Sequence, residues 1–207
     1  MTTIIIFDVE TTGLLPKTPK AGPYPHILQL CFSLYDTLEK RKIEMYNAFI
    51  NVPEKVVITP FVSKLTGITR ELVENEGVDI RQALQDFHRA FLKADVLVAH
   101  NMQFDMTMLL VESQRFYPLL DKDIQKHKKP LICTMQDSID ICRLECINSR
   151  GPYFKFPKLE ELYKQLFGSV PENLHDARTD VICCLRCFLK MKMDYLISDE
   201  EFHNLLL

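Results

Sequence analysis

The chain contains no run of about eighteen apolar residues, the length a helix needs to cross a bilayer. Its first residues carry no basic flank, no long apolar run and no small-residue cleavage site of the kind that marks a signal peptide. Both absences lead to the expectation of a soluble, intracellular protein with no membrane contact. Positive charge is not in excess either, since 25 Lys and Arg stand against 28 Asp and Glu for a formal net charge of −3. That balance excludes binding to a polyanion through bulk positive charge. The seven cysteines form no second CxxC pair and have no HxxxH partner, so Cys183, Cys184 and Cys187 lack the spacing of a zinc site. An odd number of thiols in apolar surroundings fits buried free cysteines in a reducing compartment. With no internal repeat, low-complexity tract or shift in composition, residues 1–207 read as one domain, its core at about 3–192.

What is present is an ordinary globular composition, 47% hydrophobic and 26% charged, enough for a sizeable core. Residues 3–9 (TIIIFDV) are apolar on both faces, as a central strand requires. The stretch 16–25, with its prolines, reads as a surface loop. Strands are expected at 27–35 and 43–50, at VLVAHN (96–101) and at PLICT (130–134). Helical spacing marks 79–94, where Ile80, Leu84, Phe87 and Phe91 recur at three- and four-residue intervals. Helices are also expected at 104–116, 135–145, 158–167 and 176–193. A last one, 198–207, opens on the capping box Ser198–Glu201. Strands in succession, then strands alternating with helices, give an α/β class with a mixed five-stranded sheet flanked by helices.

Charge occurs where apolar patterning makes it costly. In IIIFDVETTG, residues 4–13, Asp8 and Glu10 stand two apart at a strand end, so their carboxylates share one face if the strand runs through Glu10. Two anions that close repel, and a divalent cation between them removes the penalty; oxygen ligands favour magnesium or manganese. In VLVAHNMQFDMTML, residues 96–109, Asp105 falls in the first helical turn, where the helix dipole favours an anion. In ENLHDARTDVICCLRCF, residues 172–188, Asp176 is an N-cap candidate, His175 lies just outside the helix, and Asp180 sits one turn inside. Each segment alone has an innocent account as a turn or a helix start. Together they supply four carboxylates for hard cations and an imidazole for a proton, the parts of two-metal phosphodiester hydrolysis.

DVETTG, AHNMQFD and HDARTD, in this order, resemble the three motifs of the DnaQ-like 3′–5′ exonucleases with the DEDDh signature. The resemblance extends to VSKLTGITRELV, similar to the family's HGIT-like segment, and to KLEELYKQLFG, which is similar to the helix before the third motif. It implies a ribonuclease H-like fold and an enzyme that removes nucleoside 5′-monophosphates from single-stranded 3′ ends. Asp8, Glu10, Asp105 and Asp180 would hold two Mg²⁺ or Mn²⁺ ions, and His175 would act as general base. Thr11 and Leu14 match positions that touch the terminal nucleotide, Asn101 matches one that contacts substrate or orders the loop beside the site, and Leu65 is a further candidate for substrate binding. The enzyme would work alone or beside a polymerase or repair partner. The chain departs from the family pattern in the longer 16–25 loop and in Thr66, which stands where the HGIT-like segment has histidine.

Two divalent ions would bring the formal charge from −3 to +1 and so supply much of the attraction to a polyanion. The lysine-rich stretch 122–130 and Arg150, Lys155 and Lys158 are further candidates for substrate contact, although a charge run is usually a solvated face. Phe154 and Phe156 are expected to pack in the core before they stack on bases. The leucine after TTG and the TGIT form resemble those of the family's DNA 3′-repair members, which implies DNA as substrate; an RNA-trimming member of the same family, or a binding module without catalysis, are the alternatives.

Overall fold

β1 (Thr3–Thr11) is buried along both faces, since Ile4, Ile5, Ile6, Phe7 and Val9 leave it no side that prefers water. In the computed structural model, which describes residues 3–18, 22–171 and 174–206, β1 is the middle strand of a five-stranded sheet. The other strands are β2 (Ile27–Asp36), β3 (Arg41–Phe49), β4 (Val96–Ala99) and β5 (Leu131–Cys133), in the spatial order β3-β2-β1-β4-β5. β2 runs antiparallel to both β1 and β3, whereas β1, β4 and β5 are parallel. The sheet is therefore mixed, and its strands lie where the apolar patterns put them.

Alternation along β1 divides the core in two. Ile5, Phe7 and Val9 face α3 (Ile80–Lys93), α4 (Met102–Phe116) and α5 (Pro118–His127). Ile4 and Ile6 face α8 (Leu159–Phe167), α9 (Ala177–Met193) and α10 (Asp199–Leu206). On the first side Phe87 of α3 meets Phe7 and Phe32 edge-on, at ring distances of 5.3 and 5.6 Å. Each such buried ring contributes about 2–3 kcal/mol. On the second side Arg186 of α9 is buried against the rings of Phe167 and Phe202, donates to the Ile197 carbonyl at 3.1 Å and pairs with Asp199 at 2.6 Å. That cation fastens α10 to the rest of the fold. The expected capping box is in place, Ser198 N–H to Glu201 at 2.9 Å and Glu201 N–H to Ser198 Oγ at 3.1 Å; Leu207 lies outside the described residues.

Two expectations are corrected, the 135–145 helix and the core packing of Phe154 and Phe156. The helix expected over 135–145 is two single turns, α6 (Thr134–Asp137) and α7 (Ile139–Cys142), because Ser138 folds its hydroxyl onto the Met135 carbonyl and Arg143 turns left-handed. A hairpin of β6 (Glu145–Asn148) and β7 (Gly151–Phe154) follows, unforeseen in the sequence. Much of the lysine-rich stretch 122–130 belongs to α5, and Lys129 is spent on the fold: its ammonium caps the last carbonyls of α3, Phe91 and Leu92 among them, above the Phe91 ring. Phe154 and Phe156, expected in the core, are exposed. Two short helices, α1 (Pro60–Thr66) and α2 (Arg70–Glu76), were also not expected.

Candidate active site

β1 does continue through Glu10, the condition for pairing it with Asp8. Both side chains extend the Ile4 and Ile6 face, which points toward α9. Pairing with β2 shifts register between Glu10 and Thr11, and this irregularity ends the strand where the carboxylates are needed. Thr11 is buried, and its hydroxyl donates to the Gly13 carbonyl at 2.7 Å to close the turn.

Asp105 projects from the first turns of α4, only 2% exposed, and its Oδ1 accepts the Val9 N–H at 3.3 Å. That bond holds the carboxylate against the end of β1, near enough for its charge to act on Asp8 and Glu10. α9 begins as expected, with Asp176 as N-cap accepting the Thr179 N–H at 3.3 Å, and it packs on β1 so that Asp180 reaches the same place. His175 is exposed and has a left-handed backbone at φ 72°, a conformation costing of order 1 kcal/mol outside glycine. Its N–H donates to Asp180 Oδ2 at 3.3 Å. The imidazole, Glu10 and Asp180 each bring one potential ligand atom within 4.8 Å of the others.

The electrostatics of this cluster are those of an unneutralised cage. Burial pushes Asp8 well above the usual carboxylate range, and Asp105, Asp180, Glu10 and Asp176 push it further. Glu10 rises to about 8, through burial first and then the charges of Asp180 and Asp105. Asp105 rises to about 7 by burial and the Asp180 charge, against the pull of the Val9 N–H. Asp180 also rises to about 7, by burial and the Asp176 charge, against the His175 N–H. Asp180 Oδ1 is buried and accepts no hydrogen bond from the described residues. An oxygen left without a donor, in a group of carboxylates that cannot all ionise, fits a hard divalent cation.

Of the expected substrate-side residues, Thr11 is buried and Leu14, Leu65 and Asn101 are exposed. Leu14 is 86% exposed just past the β1 turn. Beside it lies a cavity of about 460 Å³ lined by Gly13, Leu14, Tyr24, Lys55, Val56 and Val57. Leu65 is partly exposed on α1. Asn101 is exposed at the start of α4, where its side chain makes no capping bond. Thr66, in the family's histidine position, is used internally: its hydroxyl donates to Val62 O at 3.0 Å and accepts Ile68 N–H at 3.1 Å. His100 also serves the fold. Burial lowers its pKa to about 4, and its ring bridges Thr134 Oγ1 at 3.0 Å and Pro157 O at 3.1 Å.

Two supports escaped the sequence reading. Gln29, buried on β2 opposite Glu10, donates to Asp176 Oδ1 at 2.8 Å and to Asn47 at 2.9 Å, and accepts the Ala177 N–H at 3.3 Å. It locks the turn that carries His175. Its signal was a lone amide in the apolar strand ILQLCFSLY. Glu112, buried on α4, takes hydrogen bonds from Arg115 at 3.0 Å and Ile27 N–H at 3.3 Å and meets His26 at 3.1 Å. Arg115 reaches on to the Tyr24 and Pro25 carbonyls, both at 2.9 Å, and so fixes the end of the 16–25 loop, of which residues 19–21 lie outside the described residues.

A buried strand end with clustered carboxylates on a mixed sheet is an arrangement suited to a hard divalent cation. Residues 5–188 match the exonuclease family model, and the chain belongs to that family, in its DnaQ-like group. It is 28% identical over 202 residues to a PolC-type DNA polymerase III of Bacillus subtilis, covering 98% of this chain and 12% of the polymerase. It is 32% identical over 178 residues to the PolC-type enzyme of Streptococcus pneumoniae D39, covering 86% and 10%. The chain thus spans about a tenth of the length of these relatives. Its fold resembles E. coli exonuclease I solved with a dT13 oligonucleotide, at TM-score 0.68, 19% identity, and coverage of 94% of this chain and 42% of the other. The zinc-bound form of that enzyme with single-stranded DNA gives TM-score 0.69, 20% identity, and coverage of 99% and 42%. The fold is ribonuclease H-like. Among the described residues no helix is long and apolar enough to cross a membrane.

Proposed function

We propose that the chain hydrolyses single-stranded DNA from its 3′ end and releases nucleoside 5′-monophosphates. The observation that carries this reading is the convergence of Asp8, Glu10, Asp105 and Asp180, with the Asp180 Oδ1 buried and undonated. These four carboxylates would hold two Mg²⁺ or Mn²⁺ ions. Such ions supply electrostatic stabilisation to the attacking and leaving oxygens of an in-line displacement. His175, exposed beside Asp180, takes the proton of the attacking water, and its backbone bond to Asp180 fixes where it stands. Leu14 lies against the terminal base with the cavity beside it, while Leu65, Asn101 and the Thr11 backbone would make further contacts to the terminal nucleotide. Thr11 enters by its backbone because its hydroxyl already serves the turn.

DNA is favoured by the names of the relatives, PolC-type DNA polymerases, and by neighbours solved with oligodeoxynucleotides. The same relatives favour a polymerase as the partner class. The test is a single-stranded oligonucleotide labelled at its 5′ end, incubated with the chain in magnesium or manganese. A ladder shortening one nucleotide at a time from the 3′ end, abolished by EDTA and by a blocked 3′ hydroxyl, is expected. Cutting that ignores the 3′ block, or faster cutting of the matched RNA, would displace this reading.

A further inference from the structure

The β6–β7 hairpin stands outside both halves of the core. Its strands are four residues each, and nearly every side chain faces water. A two-stranded ribbon of this size is marginal by itself, and exposing apolar groups on it makes no contribution to folding. Yet Ile147 is 85% exposed, Tyr153 45%, Phe154 41%, and Phe156, just beyond, 53%. Cations accompany these rings. Between residues 143 and 158 lie Arg143, Arg150, Lys155 and Lys158 against the single acid Glu145, in a chain whose net charge is −3; Lys155 and the exposed Lys158 are paired with Glu161 and Glu160 of α8, at 2.5 and 3.4 Å, while Arg143 and Arg150 have no acidic partner among the described residues.

The root of the hairpin is fastened. Lys155 N–H donates to the Leu144 carbonyl at 2.9 Å, and the Lys155 ammonium pairs with Glu161 of α8 at 2.5 Å. The imidazole of His100 is bonded to the Pro157 carbonyl. His100 directly follows β4 and precedes Asn101; because β4 is parallel to β1, its end lies at the sheet edge that carries Asp8 and Glu10. Arg150, at the tip, makes no ion pair among the described residues. The chain thus maintains a ribbon of rings and positive charge, braced against the same edge as the carboxylate cluster.

We propose that this hairpin, with the segment through Lys158, is an arm that grips single-stranded DNA upstream of the 3′ end held at the carboxylates. The proposal rests on the reading of that site as one for a 3′ end. Bases stack on Tyr153, Phe154 and Phe156, and Arg150 and Lys158 meet phosphates, the pairing of aromatic platform and cation that suits any sequence of single strand. The charge of the arm, opposite to that of the chain as a whole, selects a polyanion over a protein surface of mixed charge.

The experiment measures fluorescence anisotropy of a 5′-labelled twenty-nucleotide oligothymidylate, with EDTA present so that nothing is cut. The wild-type chain is compared with Tyr153→Ala/Phe154→Ala and with Arg150→Glu, each checked for an unchanged thermal unfolding temperature. Each variant is expected to weaken Kd about tenfold, the scale of one lost base stack or a reversed phosphate contact. Arg150→Glu lies at the tip of the turn, so it reports even if the double variant fails to fold. Wild-type and variant Kd values that agree, or no wild-type binding at ~50 μM, overturn the arm, a threshold well within the usual range for non-specific strand binding. Binding through the arm with no cleavage in magnesium would keep the arm and remove the nuclease reading; cleavage with equal Kd values would do the reverse.

Discussion

At the scale of single residues, the site depends on atoms that hold other atoms still. Gln29 uses its whole amide: one hydrogen bond each to Asn47 and Asp176, and one from the Ala177 N–H. Replacing it with leucine keeps the volume and deletes these bonds, each worth about 1 kcal/mol. The turn bearing His175 then loses its brace. Gln29→Leu is expected to lower kcat on a single-stranded oligonucleotide about tenfold with little change in KM, since small misplacements of a reacting group are costly. Steady-state kinetics decide this; an unchanged kcat would assign Gln29 to folding alone. The carboxylates themselves were readable in sequence, because DVETTG, AHNMQFD and HDARTD each carry them in a short motif. Gln29 was not, since its partner Asp176 is 147 residues away and no local pattern links the two.

Among elements, those with a strong period or a long apolar run were visible. β1 and α3 declare themselves through IIIF and through Ile80, Leu84, Phe87 and Phe91. What escaped were pieces whose order comes from capping and not from periodicity. α1 and α2 have seven residues each, shorter than two and a half turns, and exist because Thr59 and Thr69 cap their starts while Gly67 ends α1 at φ 75°. Thr66 and Gly67, within the segment similar to the family's HGIT-like one, form the joint between them. Gly77 closes α2 for a different reason. Its backbone is ordinary, but a Cβ there would sit 2.2 Å from Val73 O and 2.6 Å from Asn51 N. Gly77→Ala must distort the last turn of α2 and shift it from the Asn51 backbone just beyond β3, and is expected to destabilise the protein by about 1–3 kcal/mol. Urea unfolding measures this, and a midpoint equal to wild type would show that α2 yields freely. The α6–α7 break is of the same kind, since MQDSIDIC has helical spacing and only the inward turn of Ser138 interrupts it.

For the whole molecule, the carboxylate cluster sets how stability responds to pH. In the unfolded chain these groups titrate near 4, while in the fold Glu10 does so at about 8 and Asp105 and Asp180 at about 7. Between those values the folded state binds more protons than the unfolded one, so stability is full below about 4 and declines as pH rises toward 8. The metal-free protein should therefore unfold at a lower temperature at pH 8 than at pH 5. A divalent cation takes the place of the protons and should restore several degrees at pH 8 but little at pH 5, by mass action on the folded state. Differential scanning fluorimetry at the two pH values, with and without manganese, checks the sign; a metal-free protein more stable at pH 8 would refute the burial of these groups. The net charge of −3 fits the same picture, with attraction for a polyanion concentrated at bound cations instead of spread over the surface. The most direct measurement of the central claim, that Asp8, Glu10, Asp105 and Asp180 are one cation site, is an electron paramagnetic resonance titration of Mn²⁺ at pH 7.5. The account predicts Mn²⁺ bound by the wild-type chain and released when Asp8→Asn and Asp180→Asn are combined; equal Mn²⁺ occupancy in both proteins, or none in either, would contradict it.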